Sequence, residues 1–291
     1  MRTRVLSPAK INLFLCVTGK RPDGYHHLYS LMCRVGVFDE IRLRPTRSAT
    51  RLECADPLVP ADHTNLACRA ARAFFEALGQ GGGVEMMLEK RIPVAAGLGG
   101  GSSNAASVLL ALNRLHGHPF TLRGLMDIGR SLGADVPFFI FGAPALASGV
   151  GDRLTAYPLL PPLHLLLVTP SFGVSTRSVY QGLNLRLTKC KKQLKKKPFK
   201  KSTAFDPLLH LCNDLESVTL TLHPELVALK QWLTAQGATG SLMSGSGPTV
   251  FGVFPEAETM QRAAAALPAD RGWRSFTAEL LREPFELIRE D

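Results

Sequence analysis

The sequence predicts an α+β protein with two domains, residues 1–155 and 156–291. Stretches with the period of strands and stretches with the period of helices intermix along both halves of the 291-residue chain. Three prolines, at positions 158, 161 and 162, mark a linker between the halves. The apolar run at 165–168 then opens the second half as a buried strand. A chain of this length is long enough for two domains of moderate size.

Composition places the chain among globular proteins. Hydrophobic residues make up 45% of it and charged residues 20%, which is typical of that class. No apolar run approaches the ~20 residues of a membrane span. The opening Met1-Arg2-Thr3-Arg4 leads into a strand instead of the apolar core of a signal peptide. These features predict a cytoplasmic protein with no membrane partner, and they leave the oligomeric state open.

A net charge of +10 is compatible with either nucleic acid or small anionic substrates as partners. Eight lysines between positions 189 and 201 supply much of this excess. Because these lysines show no apolar periodicity and Pro198 lies among them, they predict a solvated loop.

The cysteines predict no special chemistry. The chain has six of them, and none forms a C-x-x-C pair, which argues against a zinc site and against a disulfide framework. We therefore expect reduced, mostly structural thiols, and the sequence does not identify metal ligands among the site residues.

The first strand is predicted over residues 5–17. Its alternation places Lys10 and Asn12 on one face and the apolar residues at 11, 13, 15 and 17 on the other. A lysine in such a strand is either an edge residue that reaches water or a catalytic group, and the neighbouring asparagine favours the catalytic interpretation.

A turn at 19–24 leads to a second strand at 25–29, and a further strand is expected at 37–43. Tyr25 and His26, at the end of the turn, either cover the core or form a stacking platform for a flat base. The pattern alone does not favour one of these interpretations over the other.

A helix follows at 65–78, with residues 62–64 as its cap and Gly79 at its end. Val84, Met86 and Leu88 then alternate as a strand, which Pro93 ends. Strand, glycine loop and helix thus come in the order that a phosphate-binding loop requires.

The glycine loop is the most informative stretch of the sequence. It begins at Pro93, and its closing part reads Gly97, Leu98, Gly99, Gly100, Gly101, Ser102, Ser103 and Asn104. The glycines allow positive φ and a close approach of the backbone to a ligand. The two serines and the asparagine suit the cap of a helix predicted over 105–115. Free N–H groups at a helix start favour an anion, so the loop predicts a phosphate site.

Two familiar phosphate loops do not fit. The Walker loop requires a lysine where this chain has Ser102, and the dinucleotide fingerprint requires its third glycine at that same position. The loop therefore belongs to a third type.

A helix is predicted at 122–132, and Asp135 follows as a single carboxylate among apolar residues. Asp135 either meets a distant cation such as Lys10, lies at a surface edge, or caps a helix.

A strand and turn at 143–154 close the first half. The second half adds a helix at 224–236, a helix at 256–267 and a strand at 273–280. A second glycine-serine turn at Gly245 and Ser246 feeds a strand, and two such turns suggest that both line a single cleft.

The motifs at residues 8–13, 23–26, 97–106, 133–139 and 245–249 resemble those of the GHMP kinase superfamily, and the resemblance runs nearly from end to end. It implies a two-domain α+β fold with the active-site cleft between the domains. It also implies transfer of the γ-phosphoryl group of ATP, with Mg²⁺, onto the tertiary 2-hydroxyl of a cytidine diphosphate ester of methylerythritol, in non-mevalonate isoprenoid biosynthesis.

The resemblance assigns roles residue by residue. It implies that Asp135 is the base and Lys10 its partner at the hydroxyl. ATP-binding roles are implied for Asn65, Pro93, Gly97, Leu98, Gly99, Gly100, Gly101, Ser102, Ser103 and Asn104. Substrate-binding roles are implied for Asn12, Tyr25, His26, Tyr180, Gly245 and Ser246. A different small alcohol as acceptor and a basic RNA-binding protein are the alternatives, although no RNA-binding motif is present.

Overall fold

Two β-sheets with helices packed against them form the structure, a computed structural model that describes residues 2–185, 188, 190, 199–282 and 287–290. Most of the lysine-rich segment, predicted to be a solvated loop, lies outside these described residues. Within them, no helix has the length and apolar character needed to span a bilayer.

The strands are β1 Arg2–Lys20, β2 His26–Thr46, β3 Arg51–Cys54, β4 Gly83–Glu89, β5 Ala145–Gly149, β6 Arg153–Ala156, β7 His164–Thr169, β8 Cys212–Asn213, β9 Gly240–Met243, β10 Val250–Phe254, β11 Arg274–Ala278, β12 Leu280–Leu281 and β13 Leu287–Glu290. The helices are α1 Leu66–Leu78, α2 Gly100–Leu115, α3 Leu122–Leu132, α4 Val136–Phe141, α5 Thr176–Gly182, α6 Pro207–His210, α7 Glu216–Leu222, α8 Glu225–Ala235 and α9 Ala257–Ala265.

The larger sheet is built around the long antiparallel pair of β1 and β2. Its main path runs β13-β1-β2-β4-β3, and β5 and β12 also pair with β2. The strands β8, β12 and β13 come from the second half of the chain, so this sheet contains segments from both halves. The smaller sheet is antiparallel throughout, in the order β11-β7-β10-β9.

Three apolar clusters hold these layers together. The first lies between the larger sheet and helices α1 to α4, and the second fills the space between the two sheets. The third packs α8 and α9 on the smaller sheet. Because apolar side chains on both faces of the sheets leave water, burial of their surface is the main stabilising term.

The structure differs from the predicted strands at two places. The predicted strands at 25–29 and 37–43 are parts of the single strand β2, because no strand-breaking turn separates them. The predicted alternation along β1 stops at a register shift between Asn12 and Phe14. Phe14 consequently packs in the cluster that contains Ile11 and Leu13, whereas Leu15 packs in the third cluster.

Two predicted helix caps also change. Asn65 is itself the N-cap of α1, since its Oδ1 accepts a hydrogen bond from the N–H of Ala67, and residues 62–64 precede the cap. Helix α2 begins at Gly100 with Gly99 as its N-cap in the left-handed region. The prediction that Ser102, Ser103 and Asn104 cap this helix was therefore wrong, because all three lie inside the helix.

The prediction of reduced cysteines was wrong for one pair. Cys190 and Cys212 form a disulfide, which the sequence does not reveal because 22 positions separate the two residues. Cys33, Cys54 and Cys68 carry free thiols, as expected.

Candidate active site

A cleft of about 550 Å³ lies between the two halves of the chain. The first half contributes β1, the glycine loop and the start of α4 to its walls. The second half contributes Thr176, Gly245 and Ser246. The predicted sharing of one cleft by both glycine turns is thereby confirmed.

The two glycine turns touch each other across this cleft. The Ser244 Oγ donates a hydrogen bond to the carbonyl oxygen of Gly97 at 2.9 Å. Gly97 has φ of +75°, and a Cβ at this position would collide with the carbonyl oxygen of Ser244. Only glycine suits this contact, because other residues rarely adopt the left-handed region and would bring an atom where there is no room.

Helix α2 points its amino end into the cleft. Gly99, Gly100, Gly101, Ser102 and Asn104 line the cleft at this end. Its unpaired N–H groups and the positive end of its dipole favour a bound phosphate. Pro93 and Gly97 line the preceding part of the loop.

Two of the predicted ATP-binding residues have side chains that do not reach the cleft. Leu98 is 1% exposed and belongs to the second apolar cluster, and Ser103 is fully buried. Any contact of these residues with a phosphate must therefore come from backbone atoms. The sequence pattern could not show which of these side chains face the cleft, because that depends on the residue at which α2 begins.

The residues predicted to be catalytic meet at the floor of the cleft. The Lys10 Nζ lies 3.5 Å from Asp135 Oδ2. The Lys10 side chain is nearly buried, and that of Asp135 is 35% exposed. Asp135 occupies the N-cap position of α4, but its carboxylate makes no capping hydrogen bond. Of the alternatives for Asp135, the structure therefore favours the pairing with Lys10 over the helix cap.

A chain of hydrogen bonds fixes the position of Lys10. Its Nζ donates to Asn12 Oδ1 at 2.7 Å, and Asn12 Nδ2 donates to Ser30 Oγ at 2.8 Å. Ser30 Oγ in turn donates to the carbonyl oxygen of Phe14. The backbone N–H of Lys10 donates to the carbonyl oxygen of Leu98 at 2.9 Å, which joins β1 to the glycine loop. Asn12 is 3% exposed, so its amide orients Lys10.

A second cavity, of about 430 Å³, is lined in part by the residues that directly precede Asp135 in the sequence. Residues 131–134 form one wall, and the exposed ring of Tyr25 stands in another. His26 and Tyr180 are stacked on each other, with ring centroids 5.2 Å apart and planes at 29°. The structure thus brings His26 and Tyr180 together and places Tyr25 outside the main cleft.

Burial changes the pKa values of His26 and Tyr180. Burial, with a smaller contribution from Lys20, lowers the pKa of His26. Burial also raises the pKa of Tyr180, and the nearby Asp135 carboxylate adds to that effect. Both rings are therefore held neutral near pH 7, which suits stacking and hydrogen bonding with an uncharged base.

Asn65 lies at the opposite end of the main cleft. Its Oδ1 caps α1, and its Nδ2 donates to the carbonyl oxygen of Pro60 at 2.8 Å. Both polar atoms of the amide are therefore engaged within the protein. The neighbouring Leu58, Val59 and Pro60 form an apolar wall of the cleft, and this wall did not stand out in the sequence.

Sequence reasoning also missed the segment that supports the second glycine turn. Asn213 Nδ2 donates to the carbonyl oxygens of Met243 and Gly245 at 2.8 and 2.7 Å. Glu216 Oε1 accepts from the N–H of Met243 at 2.9 Å. The run from Asn213 to Glu216 reads Asn-Asp-Leu-Glu. Its polar residues were the feature of the sequence that could have indicated this supporting role.

Comparison with known proteins agrees with this geometry. The family model described as the GHMP kinases N terminal domain matches residues 65–143, and the model described as GHMP kinases C terminal matches residues 192–271. The two matches together cover more than half of the chain. The fold and the cleft thus define a member of the GHMP kinase superfamily, a class of phosphotransferases.

Individual relatives narrow the class. A 4-diphosphocytidyl-2-C-methyl-D-erythritol kinase of Syntrophus aciditrophicus (strain SB) is 46% identical over 273 residues, which cover 94% of this chain and 97% of that protein. The protein of the same name from Geobacter sp. (strain M21) is 48% identical and covers 94% and 96%. The chain belongs to the family of 4-diphosphocytidyl-2-C-methyl-D-erythritol kinases.

Solved structures agree. The crystal structure of a 4-(cytidine 5'-diphospho)-2C-methyl-D-erythritol kinase superposes with a TM-score of 0.77 at 38% identity, covering 95% of this chain and 98% of that one. A homoserine kinase from Cytophaga hutchinsonii superposes with a TM-score of 0.73, covering 99% and 97%, but at 19% identity it shows the shared fold alone.

Proposed function

We propose that this chain transfers the γ-phosphoryl group of ATP to the 2-hydroxyl of 4-diphosphocytidyl-2-C-methyl-D-erythritol, a step of non-mevalonate isoprenoid biosynthesis in the cytoplasm. The observation that carries the proposal is the Lys10–Asp135 pair at 3.5 Å in the same cleft as the amino end of α2. A base and a cation beside a phosphate-binding helix start are what phosphoryl transfer requires. The identity of the acceptor is taken from the names of the relatives.

ATP binds with its phosphates on the glycine loop. The backbone N–H groups at the start of α2 and the dipole of that helix stabilise the negative charge. Gly245 and Ser246 close the phosphate site from the other half of the chain, and the Ser246 Oγ is held at 2.8 Å from the Thr176 Oγ1. The apolar wall at residues 58–60 receives the adenosine.

The transfer itself needs one proton to move. Asp135 accepts the proton of the acceptor hydroxyl as its oxygen forms the new bond to the γ-phosphorus. The bond from that phosphorus to the oxygen that bridges it to the β-phosphate breaks, and ADP leaves. The Lys10 ammonium, 3.5 Å from the Asp135 carboxylate, stabilises the charge that spreads over the moving phosphoryl group.

A magnesium ion fits the donor groups at this end of the cleft. Besides the phosphate oxygens, the Ser102 hydroxyl is a hard oxygen donor that lines the cleft, and it would hold Mg²⁺ together with the substrate phosphates and water. Mg²⁺ bound there would neutralise part of the phosphate charge.

The acceptor extends from Asp135 towards Tyr25. His26, Tyr25 and Tyr180 hold the cytosine through stacking and polar contacts, and the lowered pKa of His26 keeps that ring neutral. The buried Asn12 acts on the acceptor hydroxyl through Lys10. The small-molecule substrate is the only partner that we propose, since no observation supports binding of RNA.

The test compares two acceptors. ADP release is measured with 4-diphosphocytidyl-2-C-methyl-D-erythritol and, separately, with bare methylerythritol phosphate, at equal concentrations of ATP and Mg²⁺. We expect turnover with the cytidine compound and at least ~100-fold lower kcat/KM without the cytidine, since stacking on a base contributes ~1–3 kcal/mol per aromatic ring. Equal rates with both acceptors would contradict the proposed substrate.

A further inference from the structure

We infer that Asp39, a residue of β2 outside the cleft, is the positioning residue that fixes both ends of the glycine loop for ATP. Its carboxylate is completely buried. The inference rests only on the ATP-binding half of the proposed function. It concerns a residue whose hydrogen bonds connect a strand of the sheet to two separate points of the loop.

Four donors converge on this carboxylate. Oδ1 accepts the backbone N–H groups of Arg91 and Ile92, both at 2.9 Å. Oδ2 accepts the Lys90 Nζ at 2.5 Å and the Asn104 Nδ2 at 2.9 Å. A carboxylate has room for about four such bonds, so the acceptor capacity of Asp39 is filled.

The donors lie on both sides of the loop. Residues 90–92 lead into it from β4, whereas Asn104 lies near the amino end of α2. The intervening backbone holds positive φ at Ala95, Gly97 and Gly99. Glycine adopts positive φ readily, but the angle at Ala95 is unfavourable and persists only when the surrounding structure determines it. Asp39 supplies this constraint by bonding to both ends at once.

Lys90 connects Asp39 to the cleft. Its ammonium lies directly under the first residue of α2, since a Cβ at Gly100 would stand 2.9 Å from the Lys90 Nζ. Lys90 also lines the cleft. The Asp39 carboxylate therefore holds a cation in place beneath the helix start that receives the phosphates.

The simpler explanation is that Asp39 and Lys90 form a buried ion pair that serves only the fold. Removal of one member of such a pair is strongly destabilising, because it leaves an unpaired buried charge. Loss of stability alone therefore cannot separate the two interpretations. Affinity for ATP, measured on folded protein and compared with affinity for the acceptor, can separate them.

The first experiment uses Asp39→Asn in the full-length protein. We expect the dissociation constant for ATP, titrated without acceptor, to rise at least tenfold while the KM for the acceptor changes less than twofold. Glu40→Gln is the matched control, because Glu40 is the next residue on β2, is nearly as buried, and pairs with Arg4 at 2.7 Å. The control should leave the ATP dissociation constant within twofold.

A second comparison covers the case in which Asp39→Asn fails to fold. Lys90→Met removes the cation, and the double variant Asp39→Asn with Lys90→Met leaves no buried lone charge. If Asp39 acts through the loop, the double variant binds ATP at least fivefold more weakly than Lys90→Met alone. Equal affinities, or an equal effect of Glu40→Gln, would overturn the inference. Since these titrations contain no acceptor, failure of the proposed acceptor would leave them unaffected.

Discussion

At the scale of single residues, the site depends on a line of contacts from Asp135 through Lys10 and Asn12 to Ser30. Each member fixes the next, so the ammonium of Lys10 has little freedom to leave Asp135. Such preorganisation is what electrostatic stabilisation of a transition state requires, because the groups do not have to reorient during the reaction.

We predict that Asp135→Asn lowers kcat by roughly 10²–10⁴, since the amide cannot accept the hydroxyl proton. Lys10→Ala should lower kcat by a similar factor, because it removes the cation that faces the carboxylate and the phosphoryl group. Because both residues serve one transfer, the double variant should be far less impaired than the product of the two single losses. Steady-state kinetics with saturating ATP and acceptor measures all three.

Asp270→Asn, at an exposed position of a 3₁₀ turn, is the control and should retain full kcat. Fully multiplicative losses would mean that Lys10 and Asp135 act independently. A near-normal kcat for Asp135→Asn would remove it from the catalytic role.

We predict that His26→Ala raises the KM for the acceptor roughly ten- to hundredfold and leaves the KM for ATP nearly unchanged. We assign the His26 ring to the cytosine of the acceptor, and loss of a stacking partner for a base costs ~1–3 kcal/mol. Initial rates at varied acceptor and fixed ATP give the first KM. His27→Ala changes the exposed neighbour and should leave both values unaltered. A loss of ATP affinity in His26→Ala would show that the base of the acceptor lies elsewhere.

At the scale of elements, the position of the second glycine turn depends on the run from Asn213 to Glu216. Asn213 is 6% exposed and holds two carbonyl oxygens of the turn. Its Oδ1 also accepts the N–H of Leu215, so the side chain connects β8, the start of α7 and the cleft.

We predict that Asn213→Ala lowers the free energy of unfolding by ~1–3 kcal/mol, because two buried carbonyl oxygens lose their donor. It should also reduce kcat/KM for ATP about tenfold, as the turn at Gly245 loosens. Asn113→Ala is the matched control, since Asn113 is equally buried and bonds both backbone groups of Phe120 away from the cleft. The control should lose comparable stability in urea titrations and keep its kcat/KM. Parallel kinetic losses in both variants would contradict the positioning role.

The elements with strong local signals were predictable from sequence. Helix α3 has the predicted bounds, and α1 ends at Gly79 as expected. Contacts between distant positions carried little local signal, and these include the disulfide of Cys190 with Cys212 and the support by Asn213. Asp39 was missed for a related reason: a carboxylate within a strand has no pattern that reveals four donors from other segments. The pairing of Lys10 with Asp135 was one of the alternatives raised by a single carboxylate among apolar residues, and the resemblance then assigned both positions to one site.

At the scale of the whole molecule, the lysine-rich segment lies between two anchored residues. The N–H of Cys190 donates to Asp214 Oδ1 at 3.0 Å. Phe199 is 4% exposed and packs edge-on against Phe14, with ring centroids 5.1 Å apart. Cys190 and Phe199 therefore fix the positions at which the segment leaves and rejoins the described part of the chain.

We predict that replacing residues 191–198 with a Gly/Ser linker of equal length leaves kcat and both KM values within a few-fold. The segment contains none of the five short motifs that resemble those of GHMP kinases, although the C-terminal family model begins at residue 192, and both anchors are retained. Phe199→Ala should instead cost ~3–5 kcal/mol of stability, since it removes a buried aromatic ring. Thermal unfolding and steady-state kinetics on the two variants check this. A hundredfold loss of kcat by the linker variant at unchanged Tm would place the lysines in the site.

The pairing of β13 with β1 has a consequence for how the chain is made. During synthesis the amino-terminal segments leave the ribosome first, and domains generally fold in that order. Here Arg2 pairs with Glu290, and β8 and β12 add to the same sheet from late positions. The first half therefore emerges as a sheet with open edges, which can complete its hydrogen bonds only after translation has reached residue 290.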